Sequence, residues 1–239
     1  MARLLAVLMS AWKGGRAVLV PSFAIGRTQE LLYYISKLQW ENKAPRVPIY
    51  IDSPMATSTT SVYSHSQDEL DDEMIKACED HLDPFAPEGL KFIHDSEASK
   101  ALNSTKGPMM IIAGSGMANG GRIVHHLLHR LSDPNTMVLF SGYQGEGTLG
   151  RRIQDGAQKV HIMGQEVDCR AEVQTLGSLS AHADQGEIMK WLRGFKQPPK
   201  KTFIVHGEPP AQAALKARII EDLGWEVEIP ARGDHFELV

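Results

Sequence analysis

Four places in this 239-residue chain carry residue types that could handle a phosphate or a proton: Asp52, the glycine-rich run GSGMANGG (114–121), His182 and His206. Each directly follows a short apolar run, and in open parallel sheets ligands collect at the carboxyl ends of the strands. Taken singly, each has a plainer reading. A carboxylate after a strand is often a helix cap, and a lone histidine is often a satisfied turn residue. Two histidines and an acid at equivalent positions of one sheet would instead bring proton donors and a carboxylate to a common edge. The glycine run could turn backbone N–H groups toward an anion at a helix start, or it could be a tight packing turn. It is not a dinucleotide fingerprint, because the third glycine would fall on Asn119 and Gly120 comes one residue late. His125 and His129 stand four apart, a spacing that suits zinc, but with no acid between them they read as a solvated or partner-facing surface. Arg122, Arg151 and Arg152 could touch phosphates.

These residues need a scaffold, and the chain repeats one grammar: a β-branched apolar run, a Gly/Ser/Pro-rich turn, then a helical pattern. Six such units are read, with strands at AVLV (17–20), VPIYI (47–51), MMIIA (109–113), TMVLF (136–140), VQTL (173–176) and TFIV (202–205). Asp184 and Glu187 have capping-box spacing ahead of an apolar face of Ile188, Trp191, Leu192 and Phe195. Residues 62–106 break the rhythm with an acidic patch and read as a helix plus surface connection. KVHIM and QEVDCRAEV read as short strands, possible partners in a hairpin. The opening apolar run, broken by Ser10 and Lys13, reads as a helix and not a signal peptide.

Composition sets the outer limits. The chain is 42% hydrophobic and 23% charged, which excludes disorder and collagen-like fibres. Twenty-five Lys and Arg against 29 Asp and Glu give a net charge of −4, which argues against a protein held to nucleic acid by bulk charge but leaves room for a local basic groove. Cys78 and Cys169 form no C-x-x-C, so neither a disulfide framework nor a thiolate zinc knuckle is expected, and a reducing, cytoplasmic setting fits. No run reaches the ~18 apolar residues of a membrane span, so no membrane is expected among the partners.

PSFAIGRTQELL, IYIDSPMA, AGSGMANGGR, LFSGYQGEGTLGR, LSAHAD and IVHGE, in that order, resemble the β-CASP branch of the metallo-β-lactamase superfamily, the RNA-processing nucleases related to cleavage and polyadenylation specificity factor. The resemblance implies an α/β fold: a Rossmann-like parallel-sheet β-CASP domain at 16–155, preceded by a helix remnant of the lactamase domain at 1–15. Residues 156–239 would be the C-terminal segment of the metallo-β-lactamase αββα domain. It also implies site roles. Asp52 matches the family's acidic motif A, His182 its motif B, and His206 its motif C. In such enzymes the motif C histidine is a zinc ligand, the motif B histidine sits by the scissile phosphate, and the acid orients it. An imidazolium held by a carboxylate can protonate the leaving oxygen while zinc activates water. A histidine at motif C resembles the RNA-directed branch. Ser115, Gly116 and Met117, with Arg27 of the first motif, would face the substrate.

The resemblance implies two zinc ions in the complete enzyme and single-stranded RNA as substrate. The family's main metal cradle, H-x-H-x-D-H, is absent from this sequence, so the resemblance carries over one donor, His206, where a zinc site takes three or four. The chain is therefore expected to be inactive alone, as the cleft half of a zinc-dependent ribonuclease completed by an N-terminal lactamase domain or a homologous chain. Assembly as a homodimer is a further expectation. Two alternatives stay open. One is a non-catalytic RNA-binding or scaffold subunit with an exposed apolar face. The other is a doubly wound nucleotide or sugar-phosphate enzyme, against which the displaced glycine argues.

Overall fold

Alternate residues of the apolar runs go to opposite faces of one sheet, and helices cover both faces. The computed structural model describes residues 1–66, 69–79, 83–177 and 182–237. The chain divides into two compact units, Met1–Leu179 and Ser180–Val239.

The first unit carries six parallel strands in the order β3-β2-β4-β1-β5-β8. These are β1 (Ala17–Pro21), β2 (Ile49–Ile51), β3 (Leu90–Phe92), β4 (Met109–Ala113), β5 (Thr136–Phe140) and β8 (Glu172–Thr175). The central strand β1 pairs with β4 on one side, Val18 opposite Met110, and with β5 on the other, Val18 opposite Met137. Val18, Val20, Ile49, Ile51, Met110 and Ile112 turn to one face, where they meet Leu4, Leu8 and Ala11 of α1 (Ala2–Gly14) and Leu31, Leu32 and Ile35 of α2 (Arg27–Trp40). Leu19, Ile111, Val138 and Phe140 turn to the other face, against Ile123 and Leu127 of α6 (Arg122–Arg130) and Ile153 of α7 (Leu149–Gln154). β6 (Lys159–Ile162) and β7 (Gln165–Asp168) form an antiparallel hairpin, as the sequence suggests.

Between β2 and β4 the chain makes α3 (Pro54–His65), α4 (Asp72–Glu79), β3 and α5 (Ser96–Leu102). The strand β3 is absent from the sequence reading. It is three residues long, and Lys91 at its centre is exposed, so it offers no apolar run.

The second unit holds α8 (Gln185–Leu192), β9 (Thr202–Phe203), α9 (Pro209–Leu223) and β10 (Val227–Glu228). Two expectations are corrected here. Among the described residues the sixth strand does not join the main sheet: β9 pairs in parallel with β10 in a two-stranded sheet, so His206 follows a strand of that second sheet, and the proposed common edge of one acid and two histidines is not one sheet edge. The capping box of Asp184 and Glu187 is present, but the face it starts is rotated. Met189 and Leu192 are the buried pair, whereas Trp191 is 66% exposed and meets Phe195 edge-on, ring centroids 5.2 Å apart. No described helix is long and apolar enough to cross a membrane.

Candidate active site around Asp52

β1 sends its chain through α2 toward β2, whereas β4, its neighbour in the sheet, sends its chain through α6 toward β5 on the other side. Adjacent strands whose connections diverge open a crevice at their carboxyl ends. A pocket of about 360 Å³ occupies that crevice, lined by Ser22, Phe23 and Ala24 after β1, Asp52 to Met55 after β2, and Gly114, Ser115, Gly116, Gly121 and Arg122 after β4.

Asp52 is not the cap of α3. That role belongs to Ser53, whose hydroxyl accepts the Ala56 N–H. Asp52 is fully buried. The Arg122 guanidinium donates to its Oδ1 at 2.6 Å, while Ser99 Oγ (2.5 Å) and His126 Nε2 (2.7 Å) donate to its Oδ2. Burial alone would push the carboxyl up, but the hydrogen bonds from His126, Ser99 and Arg122 outweigh it and hold Asp52 below the ordinary carboxylate value. His126 is itself fully buried, and its Nδ1 lies 2.7 Å from Asn103 Oδ1. The network thus binds β2 to α5 and α6 across one face of the sheet.

His126 and Ser99 are residues that sequence reasoning missed. The flanking His125 and His129 are exposed, as expected, but the histidine between them points inward. The signal was available: Ile123, His126, Leu127 and Arg130 are the buried residues of α6 and fall at i, i+3, i+4 and i+7. Ser99 carries no comparable mark, since its value lies only in reaching Asp52 from a distant seven-residue helix.

The glycine loop is a tight turn that shapes the pocket wall. Ser115 N–H bonds Gly120 O, Ala118 N–H bonds Ser115 O, and Ile123 N–H bonds Gly114 O, so these donors are spent within the loop. From outside, Gln144 Nε2 donates to Gly116 O at 2.9 Å and Gly150 N–H to Met117 O at 3.1 Å. Ser115 Oγ is left buried with no hydrogen-bond partner. Gly121, with φ 73° and ψ −174°, occupies a region almost reserved for glycine. A Cβ there would lie 2.2 Å from Gly114 O. Gly121→Ala is therefore expected to cost about 2–3 kcal/mol, read as a lower urea midpoint. A midpoint equal to the parent's would show that the loop can open without loss. At Gly116 the conflict would be with the Phe23 ring, 2.6 Å away. That ring is 50% exposed and can swing outward, so the expected cost of Gly116→Ala is smaller, about 1 kcal/mol, with the displacement visible in the Phe23 ring resonances.

The other sequence candidates are not among the residues lining this pocket. Arg27 pairs with Glu30 of its own helix at 2.5 Å and is not among the residues lining the pocket. His182 and His206 belong to the second unit and both are exposed. His206 has φ 66°, and its carbonyl accepts Gln212 Nε2 at 2.7 Å. The stretch 178–181, just before His182, lies outside the described residues. Among the described residues, no group of three or more His, Cys, Asp or Glu is placed to hold a metal ion, and Asp52 spends both oxygens on protein donors. They therefore do not make up a zinc site, which needs three or four donors.

Residues 28–153 match the Beta-Casp domain, and residues 166–230 match the Zn-dependent metallo-hydrolase RNA specificity domain. Ribonuclease TTHA0252 of Thermus thermophilus is 42% identical over 230 residues, covering 96% of this chain and 52% of that protein. An RNase J-like protein of Methanocaldococcus jannaschii is 30% identical, covering 92% of this chain and 50% of its own length. Transcription termination factor FttA of Methanosarcina mazei is 30% identical, covering 90% of this chain and 34% of its own. The chain thus spans between about a third and a half of the length of these relatives.

Proposed function

Because the chain belongs to the β-CASP family of the metallo-β-lactamase superfamily, we propose that it forms the RNA-holding part of a zinc-dependent ribonuclease acting on single-stranded RNA. The observation that carries this reading is the crevice beside β1 and β4, with the Asp52–Arg122 pair at its floor, the unpartnered Ser115 hydroxyl in its wall and Phe23 half exposed among its lining residues. Arg122 is 27% exposed while anchored to a buried carboxylate. A guanidinium fixed in this way can meet a phosphate oxygen without first losing side-chain freedom. An exposed aromatic ring at the same opening offers a base a face to stack on. Asp52, on this reading, is a positioning residue that holds Arg122 and the start of α6.

The relatives' names supply the reaction class: a ribonuclease and an RNase J-like protein. His182 is assigned the proton to the leaving oxygen, and His206 a single zinc bond. The described residues hold no complete set of zinc donors, and the remaining donors are assigned to a lactamase domain or homologous chain. A homodimer is one form such an assembly could take. A reducing, cytoplasmic setting is part of the proposal and fits two free cysteines.

The test is cleavage of end-labelled single-stranded RNA, with zinc, by this chain alone and after adding a domain that carries H-x-H-x-D-H. Cleavage only in the second mixture, weakened when Ser115 is replaced by Val, is the expected result. Equal RNA retention and cleavage by parent and Ser115→Val, Arg122→Gln and Phe23→Ala variants would remove the crevice from the reaction. His206→Ala is expected to weaken zinc binding in that mixture by at least about tenfold, measured by equilibrium dialysis. Unchanged occupancy would withdraw the assignment.

A second reading, a scaffold subunit, draws on one feature of the second unit. A largely apolar groove of about 410 Å³ there is lined by Trp191, Phe195, Trp225, Leu215 and Val205, of which Trp191, Phe195 and Val205 are exposed. RNA binding that persists with every partner domain supplied and no cleavage would favour it.

A further inference from the structure

At the opposite end of the main sheet, where the strands begin, lies a second cavity of about 440 Å³. Its wall includes Ala17 at the start of β1, Gly107 just before β4, Asn135 just before β5, and His129 and Arg130 at the end of α6. Arg130 is the informative residue. It is only 7% exposed, it forms no ion pair with any described residue, and its Nε has no hydrogen-bond partner. Its Nη2 donates to the carbonyls of Leu102 and Thr105. Carbonyls satisfy hydrogen bonds but bring no negative charge, and a buried cation without a counter-charge is costly. Burial pulls the guanidinium below its ordinary value, and the charge of Asp133 offsets only part of that. The one acid of the wall, Asp133, makes no ion pair with Arg130, and its Oδ1 accepts the Asn135 N–H in a turn contact. Lys106, exposed in the same wall, adds a second cation.

We infer that this cavity is an anion site for a phosphate group, free or carried as the monoester of a small molecule. Two cations outnumber the single carboxylate, and the donors of the wall not already given to the protein are Lys106, the His129 ring and the second hydrogen of the Asn135 amide, the Ser104 and Thr105 hydroxyls both bonding Ala101 O. A tetrahedral oxyanion presents acceptors in several directions, whereas a carboxylate presents two in one plane. The volume falls within the range of small-molecule pockets and exceeds what one oxyanion fills. The site is separate from the Asp52 crevice and shares no lining residue with it.

The experiment is calorimetric titration of the full chain with inorganic phosphate and with adenosine 5′-monophosphate at fixed ionic strength, paired with NMR of the His129 ring and the Asn135 side-chain amide. The inference expects saturable binding that moves His129 and Asn135, weakened about tenfold or more in Arg130→Gln and in Lys106→Glu. Lys106 is exposed, so its variant tests the site even if the Arg130 variant fails to fold. Tighter binding of the nucleotide, in competition with phosphate, identifies a monoester; binding of phosphate alone identifies the free ion. Absence of saturable binding, shifts confined to Ser115 and Arg122, or a Lys106→Glu titration matching the parent would each overturn the inference.

Discussion

Replacing Asp52 by Ala is expected to lower folding stability by about 3–5 kcal/mol, the range for removing one partner of a buried ion pair. The variant strands three donors at once. Ser99 and the fully buried His126 lose the acceptor they share, and Arg122 loses its anchor. Urea unfolding gives the measurement, and Asp52→Asn, which keeps the shape and one acceptor, should fall between Ala and parent. Acid adds a signed test. Because the folded carboxyl sits below its ordinary value, its contribution is fully present above about pH 4, the unfolded value, and fades as pH drops through the lower folded one. The Asn variant should lose that part of the acid limb. An Ala variant with the parent's midpoint would mean that the three donors find water instead.

The second large effect belongs to His182. If it protonates the leaving oxygen, His182→Ala should cut turnover in the reconstituted ribonuclease by about 10²–10⁴-fold, with little change in KM, since the lost interaction exists only in the transition state. A raised KM with unchanged kcat would instead make His182 a binding residue.

The parts of this molecule legible in the sequence are those written in consecutive residues. Five strands of the main sheet announce themselves as apolar runs, and the turns after β1, β2 and β4 mark the crevice. What resisted reading depends on distance. Ser99 and Asn103 matter only because α5 lies beside β2 and α6 in space. Asp52 resembles a cap until Ser53 is seen to perform that task. His126 was hidden by its neighbours, since the zinc-like spacing of His125 and His129 drew attention to the exposed face of a helix whose buried stripe runs through His126. The short β9 had enough apolar character to look like a sixth sheet member, and only its pairing with β10 shows otherwise.

The strand order also has a consequence for how the protein is made. β1, with Ala17 to Val20 all apolar and destined for burial, emerges from the ribosome well before its partners. Its partners are Met109 and Thr136 onward, so the middle of the sheet stays unpaired until most of the first unit has been synthesised. Such long-range parallel pairing is slow to form and leaves a sticky edge in the meantime. Nascent chains stalled before residue 109 should therefore be held by chaperones or aggregate, whereas chains released after β5 has emerged have the two neighbours that β1 requires.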